Sequence, residues 1–547
     1  MTTVEESIPD NELLASIPLP EGWLWTTVSS LGEFDGEAVK TGPFGAILKS
    51  KEFVSSGVPI LAVGNVQSGR LDLQNARVDH ITEEKADELS DYRLRAGDVL
   101  FTRSGTIGRS AVVPQSADGW MMSYHLLRVR PNQLLINPQY LYFVFAGCQA
   151  SQQYTQDSTI GTTRPGINTQ ILKHLPVPLP PRAEQDRAVA TINELFSRVG
   201  SARDHLSKIP VILKRFRQAV LASACSGKLT EDWRGSQASL EASAESLTRA
   251  FAERKQEFEA QCARAKAKDK RLPAQPDNLE PLEFSLPEPL VLPEIPEEWA
   301  WTSVNDVISM AQYGTSVKAD GTPQRGVPLL RMGNIQDGQL DLTDLQYITR
   351  QAENIADFRL AKGDVLFNRT NSPELVGKTA VYNNEREAVF ASYLIRVRCD
   401  ARITLGKYLS SWLNSPWGRW WARTVRTDGV SQSNINASKL RSMPLPLPPL
   451  QEQIEILRRL NALFALAANI ERSVQAAQRR TEKLSQAILA KAFRGELVPT
   501  EAELARREGR DYEPASVLLD RMHAERAKRA KTPAVPKRKL RRASAHV

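Results

Sequence analysis

Only four cysteines occur in 547 residues, Cys148, Cys225, Cys262 and Cys399, and no two form a Cys-x-x-Cys pair. That scatter argues against a disulfide framework and a cysteine zinc site, and it fits a reducing cytoplasm. Histidine is equally sparse: His80, His125, His174, His205, His523 and His546 show no metal-ligand spacing. No apolar run is long enough to span a bilayer. The opening MTTVEESIPDNELL is acidic and has no signal-peptide hydrophobic core. Catalytic motifs are missing as well. Ser372-Pro-Glu-Leu-Val-Gly-Lys-Thr379 ends like a phosphate-binding loop but carries Ser372 where the first glycine belongs. Without that glycine the backbone cannot make the tight cradle. The matching stretch ending Gly108-Arg109-Ser110 lacks the lysine, and no Asn-Pro-Pro-aromatic or Asp-Pro-Pro-aromatic run of the amino-methyltransferase kind is present. The chain is not expected to be an enzyme or to bind a metal or cofactor.

A charge excess is also missing from the body of the chain. The net charge is +8, but residues 526–542 carry nine Lys or Arg and no acid. Removing them leaves 62 basic residues against 63 acidic ones, a net of −1. The basicity belongs to the tail, Ala524–Val547, which reads as a solvated end or a non-specific nucleic-acid contact. It says nothing about what the body binds.

What is present is duplication. Trp23-Leu-Trp25-Thr-Thr-Val28 returns as Trp299-Ala-Trp301-Thr-Ser-Val304, and Gly57-Val-Pro-Ile60 with Gly64-Asn65 as Gly326-Val-Pro-Leu329 with Gly333-Asn334. Gly97-Asp-Val-Leu-Phe101 returns as Gly363-Asp-Val-Leu-Phe367, and Ser123-Tyr124 with Arg128-Val-Arg130 as Ser392-Tyr393 with Arg396-Val-Arg398. From Ile167-Asn168 the offset is a constant 268, which aligns the strap Leu175–Pro181 with Met443–Pro449 and Gly227 with Gly495. A period this long makes the chain two copies of one unit. Length alone allows three or four domains of roughly 150 residues.

Each copy opens with a globular part of α+β character. Val58–Val63, Asp98–Phe101 and Leu126–Val129 read as strands bounded by Gly and Pro. Each globular part closes on a proline-rich strap, expected to be neither helix nor central strand. A helix follows each strap. Ala188, Ile192, Leu195, Val199, Ala202, Leu206, Ile209, Leu213, Phe216 and Val220 are spaced by alternating fours and threes. Ile456, Leu460, Leu463, Ala467, Ile470, Val474, Ala477, Thr481, Leu484 and Ile488 repeat the pattern. A heptad seam of this length is the mark of a coiled coil. Pro210 is expected to kink the first helix. The stripes either pack on their own domains or on each other; their equal length and register favour an antiparallel pair. At ~1.5 Å per residue, Ala188–Val220 covers about 50 Å, more than one DNA turn of about 34–36 Å. The domains expected are an extension (1–17), a globular domain (18–181), a spacer helix (182–233), and a charged helix, Leu240–Lys268, with a Pro-rich linker (234–290). A second globular domain (291–449), a second spacer helix (450–498) and a C-terminal helix with basic tail (499–547) complete the chain.

In this order the two Trp-x-Trp openings, the two Gly-Asp-Val-Leu-Phe segments with Arg103 and Arg369, and Gly377-Lys-Thr-Ala380 form a set. The Pro-Leu-Pro-Pro straps and the pairs Glu184-Gln185 and Glu452-Gln453 complete it. The set resembles the specificity subunits of type I restriction–modification systems, over about residues 18–233 and 291–530. The resemblance implies two tandem α+β target recognition domains separated by two long helices that form an antiparallel coiled coil. It implies a non-catalytic, double-stranded-DNA-binding subunit that recognises a bipartite target, one half-site per domain, in the cytoplasm of a bacterium or archaeon. Two modification (methyltransferase) subunits and the restriction (translocase and nuclease) subunits would be its partners, with S-adenosylmethionine, ATP and Mg on those partners and none on this chain. The alternatives are a coiled-coil scaffold whose two domains bind something other than nucleic acid, and an NTP-dependent enzyme.

The two copies share a frame and differ in stretches: 35–56 against 310–325, Ser104–Ile107 against Thr370–Val376, and 148–165 against 415–432. Different loops on one frame fit two different half-sites. Phosphate contacts position a protein on DNA and base contacts specify it. In the first copy Lys40, Lys49, Lys51 and Arg164 are candidate phosphate contacts, and Thr41, Phe44, Ser104 and Thr106 candidate base contacts. In the second copy the basic candidates are Lys318, Arg325, Arg331, Lys378, Arg423 and Arg426, and the amides Asn371, Gln432 and Asn434 suit adenine. Arg103 and Arg369 hold equivalent places, which points to a shared backbone-contact or structural role. A solvated or structural place fits each of these residues too. The cluster Trp412, Trp417, Trp420 and Trp421 reads as core.

Overall fold

The computed structural model describes residues 17–33, 38–43, 47–103, 108–159, 167–284, 286–288, 290–383, 386–430 and 432–530. They divide into two units. One holds the described residues up to Leu206 and from Ala476 onward; the other is Ser207–Gln475.

Within unit 1 the globular part is built on a four-stranded antiparallel sheet. Its order is Val39–Thr41, Leu126–Val129, Val99–Thr102, Ser110–Val112. A second sheet pairs Val58–Leu61 antiparallel with Asp79–Ile81 and parallel with Met121–Met122. Unit 2 repeats both. Its four strands are Ile308–Tyr313, Leu394–Cys399, Val365–Asn368 and Thr379–Val381. Its second sheet joins Gly326–Leu330 to Gln346–Thr349 and to Val389–Phe390. One face of the unit 1 four-stranded sheet, with Val99, Phe101, Leu127 and Val129, is buried in the main core of that unit. The opposite face, with Leu100 and Leu126, packs in a smaller cluster with Leu61 and Met122.

The straps are neither helix nor central strand: each is one strand of a two-stranded ladder. Pro176–Leu179 pairs antiparallel with Leu24–Thr27, and Pro444–Leu447 with Ala300–Ser303. The prolines alternate, at 176 and 178 and at 444 and 446. Side chains and N–H groups alternate sides along a strand, so every proline nitrogen faces away from the single partner and no ladder bond is lost.

The two long helices run over Arg182–Cys225 and Leu450–Phe493. The first is helical through Pro210, although proline removes an N–H there. In each unit the start of one long helix lies against the end of the other. In unit 2, Arg217 pairs with Glu471 at 2.8 Å, and Thr230, in the turn just past the first helix, bonds Glu452 at 2.7 Å. Numbers rise along one segment as they fall along the other, so the packing is antiparallel. In unit 1, Arg187 pairs with Glu501 at 2.6 Å while Ile192 and Val199 share a core with Ile488 and Phe493.

Most seam residues are buried or half-buried: Ile192, Val199, Leu213, Val220, Leu460, Val474 and Ile488 are buried, and Leu195, Leu206, Ile209, Phe216 and Leu463 half-buried. Ile470 and Leu484 are not; they are 39% and 50% exposed. A straight α-helix repeats every 3.6 residues, so a strict 3.5-residue stripe drifts ~20° per heptad and leaves the contact.

Each helix start is pinned by its Glu-Gln pair. Gln185 accepts from the Asn137 backbone N–H at 2.8 Å and donates to the Leu135 and Pro180 carbonyls at 2.9 and 3.0 Å. Gln453 does the same with Leu405, Ile403 and Pro448. Trp23 Nε1 donates to Glu184 at 3.0 Å and Trp299 Nε1 to Glu452 at 2.9 Å. The Glu501 backbone N–H completes the first site, and Thr230 and Arg234 the second. Burial pushes the Glu184 carboxyl up to about 7 against these bonds. The Leu240–Lys268 helix forms as Ser243–Ala267 and packs on unit 2, where its buried Arg254 pairs with Asp400 at 3.0 Å. In the same way Ala515–Ala530 sets Ala515, Leu518 and Met522 into the core of unit 1.

Candidate nucleic-acid interface

In both units one end of the four-stranded sheet carries described residues from the stretches that differ between the copies. That end is formed where the first strand stops, the strand of the Gly-Asp-Val-Leu-Phe motif stops, and the strand after the Ser-Tyr pair begins. In unit 1 it carries Thr41, Arg103 and Tyr124. Thr41 is half-buried, and its hydroxyl is 3.5 Å from the Tyr124 carbonyl. The half-buried Arg103 bonds through its backbone N–H to His125. Lys40, one residue before Thr41, is partly committed: its ammonium lies 3.2 Å from Asp91 and over the Tyr92 ring. Lys49 and Lys51 are exposed beside the short turn Ser50–Glu52. Phe44, Ser104, Thr106 and Arg164 lie outside the described residues.

Unit 2 elaborates the same end. Thr370–Asn371, Ser433–Asn434 and Thr427–Asp428 form a small antiparallel sheet continuing from the motif strand. It gathers Arg369, Asn371, Asn434 and Arg426, with the exposed Gln432 in the turn and the exposed Arg423 on the preceding helix, Pro416–Val425. Arg426 is spent on Asp428 at 2.8 Å. Asn371 Oδ1 accepts from the Ser372 backbone N–H at 2.8 Å. Asn434 Oδ1 accepts from Arg369 at 3.4 Å and its Nδ2 donates to Thr370 at 2.8 Å. These bonds orient Asn434 and Arg369 toward each other. Lys378 is half-buried in the loop before Thr379. Lys318 and Arg325 are exposed on the loop between Tyr313 and Gly326, and Arg331 faces Asp344 at 3.5 Å. These last three sit on other loops.

Further residues of this end stand out only in the structure. Tyr313 occupies the place of Thr41: both stand opposite the second residue of the paired strand's Leu-Leu-Arg or Leu-Ile-Arg run, and both precede a glycine. The repeat alone carried that signal. Tyr393 and Tyr124 are exposed at the paired Ser-Tyr positions. Asn368, at the end of the motif strand, is fully buried with both amide atoms unpartnered. Buried polar groups are normally paired, so such an orphan is a costly feature. Arg419 donates to the Glu374 and Val376 carbonyls at 2.6 and 2.8 Å, fixing the loop that distinguishes the second copy.

Other readings are narrowed by geometry. Thr379, which ends the phosphate-loop-like stretch, begins a strand, not the helix such a loop requires. Trp412 and Trp421 are buried and Trp417 stacks on Trp412 at 6.0 Å, as expected for core; Trp420 remains half-exposed. Among the described residues no group of His, Cys, Asp and Glu is arranged to hold a metal, and no helix is long and apolar enough to cross a membrane.

A duplicated α+β domain with paired long helices defines the class of fold. The model of the type I restriction modification DNA specificity domain matches residues 36–209 and 296–477, and the chain belongs to that family. It is 26% identical over 536 residues to the type I restriction enzyme EcoBI specificity subunit of Escherichia coli, covering 96% of this chain and 97% of that one. Among solved structures it is similar in fold to the HsdS subunit from Thermoanaerobacter tengcongensis, at 19% identity and a TM-score of 0.50, over 88% of this chain and 98% of that one. A structure described as the basis of complex assembly and conformational transition of the type I R-M system matches at 19% identity and a TM-score of 0.55, over 88% of this chain and all of that one.

Proposed function

We propose that this chain is the sequence-reading subunit of a type I restriction–modification complex and that it reads an asymmetric bipartite DNA target, one half-site per globular domain. One observation carries the reading. The two domains share strand order, pairing and helix anchors, yet the same sheet end bears Lys40-Thr41 in one and Gln312-Tyr313 in the other. A symmetric scaffold has no need of that divergence. The chain serves as a non-catalytic guide in the cytoplasm of a bacterium or archaeon. Adenine methylation and restriction belong to two modification subunits and to the restriction subunits, which hold S-adenosylmethionine, ATP and Mg. The long helices suit docking of modification subunits: on unit 2, Val211, Ile212, Leu466 and Ile470 are exposed apolar side chains, a type of residue that marks protein interfaces when it gathers on a surface.

The test is a chain in which residues 296–449 also replace 20–181, co-expressed with its modification subunit. The methylated motif is expected to lose the bases of one half-site and to show those of the other twice. An unchanged motif would refute one-domain, one-half-site reading.

A further inference from the structure

Arg369 differs from the other cations at the sheet ends in how it is held. Its guanidinium lies over the Tyr313 ring, 4.6 Å from the centroid. Nη1 donates to the Ser392 carbonyl and Nη2 to Asn434 Oδ1, each at 3.4 Å, and Nε has no partner. Among the described residues no carboxylate pairs with it. Tyr313 is itself fixed, because its hydroxyl accepts the Ala437 backbone N–H at 2.9 Å. Asn434 is fixed by Thr370. The result is a half-buried cation with its plane defined on two sides and donors left over.

The residue types that make these supports are not repeated at the matching positions of the first domain. The arginine recurs as Arg103, but Thr41 stands in place of Tyr313, Ser104 in place of Thr370 and Gly166 in place of Asn434. A phosphate contact positions the protein without carrying sequence information, and a lysine's point charge can make it as well as an arginine fork. A base contact needs the fork held in one plane, because arginine reads guanine O6 and N7 through two parallel bonds. The phosphate backbone is the same at both half-sites, so supports that differ between the domains fit a contact that differs between the half-sites.

We infer that Arg369, set by Tyr313 and Asn434, reads a guanine in the half-site of the second domain. The inference rests on the DNA-reading function proposed above. Arg369 makes the base contact; Tyr313 and Asn434 are positioning residues.

The experiment uses the chain assembled with its modification subunits. It measures binding and methylation of duplexes carrying each single-base change, at several salt concentrations. Wild type must first select a gapped motif; if it does not, the underlying reading fails, not this one. Arg369→Lys is expected to lose discrimination at one G·C position of one half-site, on the order of 5- to 150-fold, with the salt dependence nearly unchanged. Tyr313→Thr, the first domain's residue, is expected to lose part of it at the same position. The other half-site stays intact in both. Should Arg369→Ala not fold, these two variants carry the test. The inference is overturned if Arg369→Lys keeps the full motif, or if Arg369→Ala weakens all sequences alike and lowers the salt slope by about one, the behaviour of a backbone contact.

Discussion

Replacing Glu452 with leucine is expected to destabilise unit 2 by about 3–5 kcal/mol, the cost of removing one partner of a buried ion pair. Its carboxylate is fully buried and accepts from Trp299 Nε1, Thr230 Oγ1 and Arg234 Nη1 at 2.9, 2.7 and 2.5 Å. The substitution strands an arginine charge and two neutral donors together. Domains are stable by only about 5–15 kcal/mol, so this is a large share. The carboxylate also ties the start of the second long helix to the segment after the first one, and local order there falls with it. Glu184 gives an internal comparison. It holds the matching place in unit 1, but its bonds come from Trp23 and the Glu501 backbone N–H, and among the described residues no arginine donates to it. Glu184→Leu is therefore expected to cost less. Chemical denaturation of the two variants checks the order. Equal losses, or a loss below about 1 kcal/mol for Glu452→Leu, would contradict this account of the helix anchors.

The second large effect separates two residues the heptad pattern treats alike. Val474→Asp is expected to cost unit 2 about 4 kcal/mol or more, and Ile470→Asp about 1 kcal/mol. Val474 is 6% exposed and Ile470 39%. Burying a valine side chain is worth about 1.5–3 kcal/mol, and a carboxylate at that place must also be stripped of water with no cation assigned to it. Ile470 keeps access to solvent, so an aspartate there stays hydrated. Denaturant midpoints of the two variants measure the difference. Similar midpoints would show that the seam is wrongly located.

Much of this was legible in the residues. The repeat announced two equivalent units, and its offset aligned Gly227 with Gly495. Both glycines prove left-handed, at φ +76° and +70°, and a side chain at either would meet a proline, Pro296 or Pro20. The heptad stripe located both long helices. It failed at Ile470 and Leu484 because the periodicity of a sequence is not the periodicity of a straight helix. The prolines of the straps disfavour helix and central strand, and a two-stranded ladder with alternating prolines respects both limits; its pairing partner was not legible. The site was harder to read. Residue type marks Asn434 as an amide suited to adenine, but only the fold shows that it also bonds Thr370 and Arg369, 64 and 65 positions away in sequence. Tyr313 was passed over because composition does not mark a tyrosine beside glycine; only its register opposite Ile395 makes it the counterpart of Thr41.

The central claim is that one chain reads two different half-sites for enzymes carried by other chains. The methylome of cells expressing this chain with its modification subunit tests it most directly. The account predicts adenine methylation in one asymmetric motif, two unlike half-sites around a gap of unspecified bases. An ungapped or palindromic motif would contradict it.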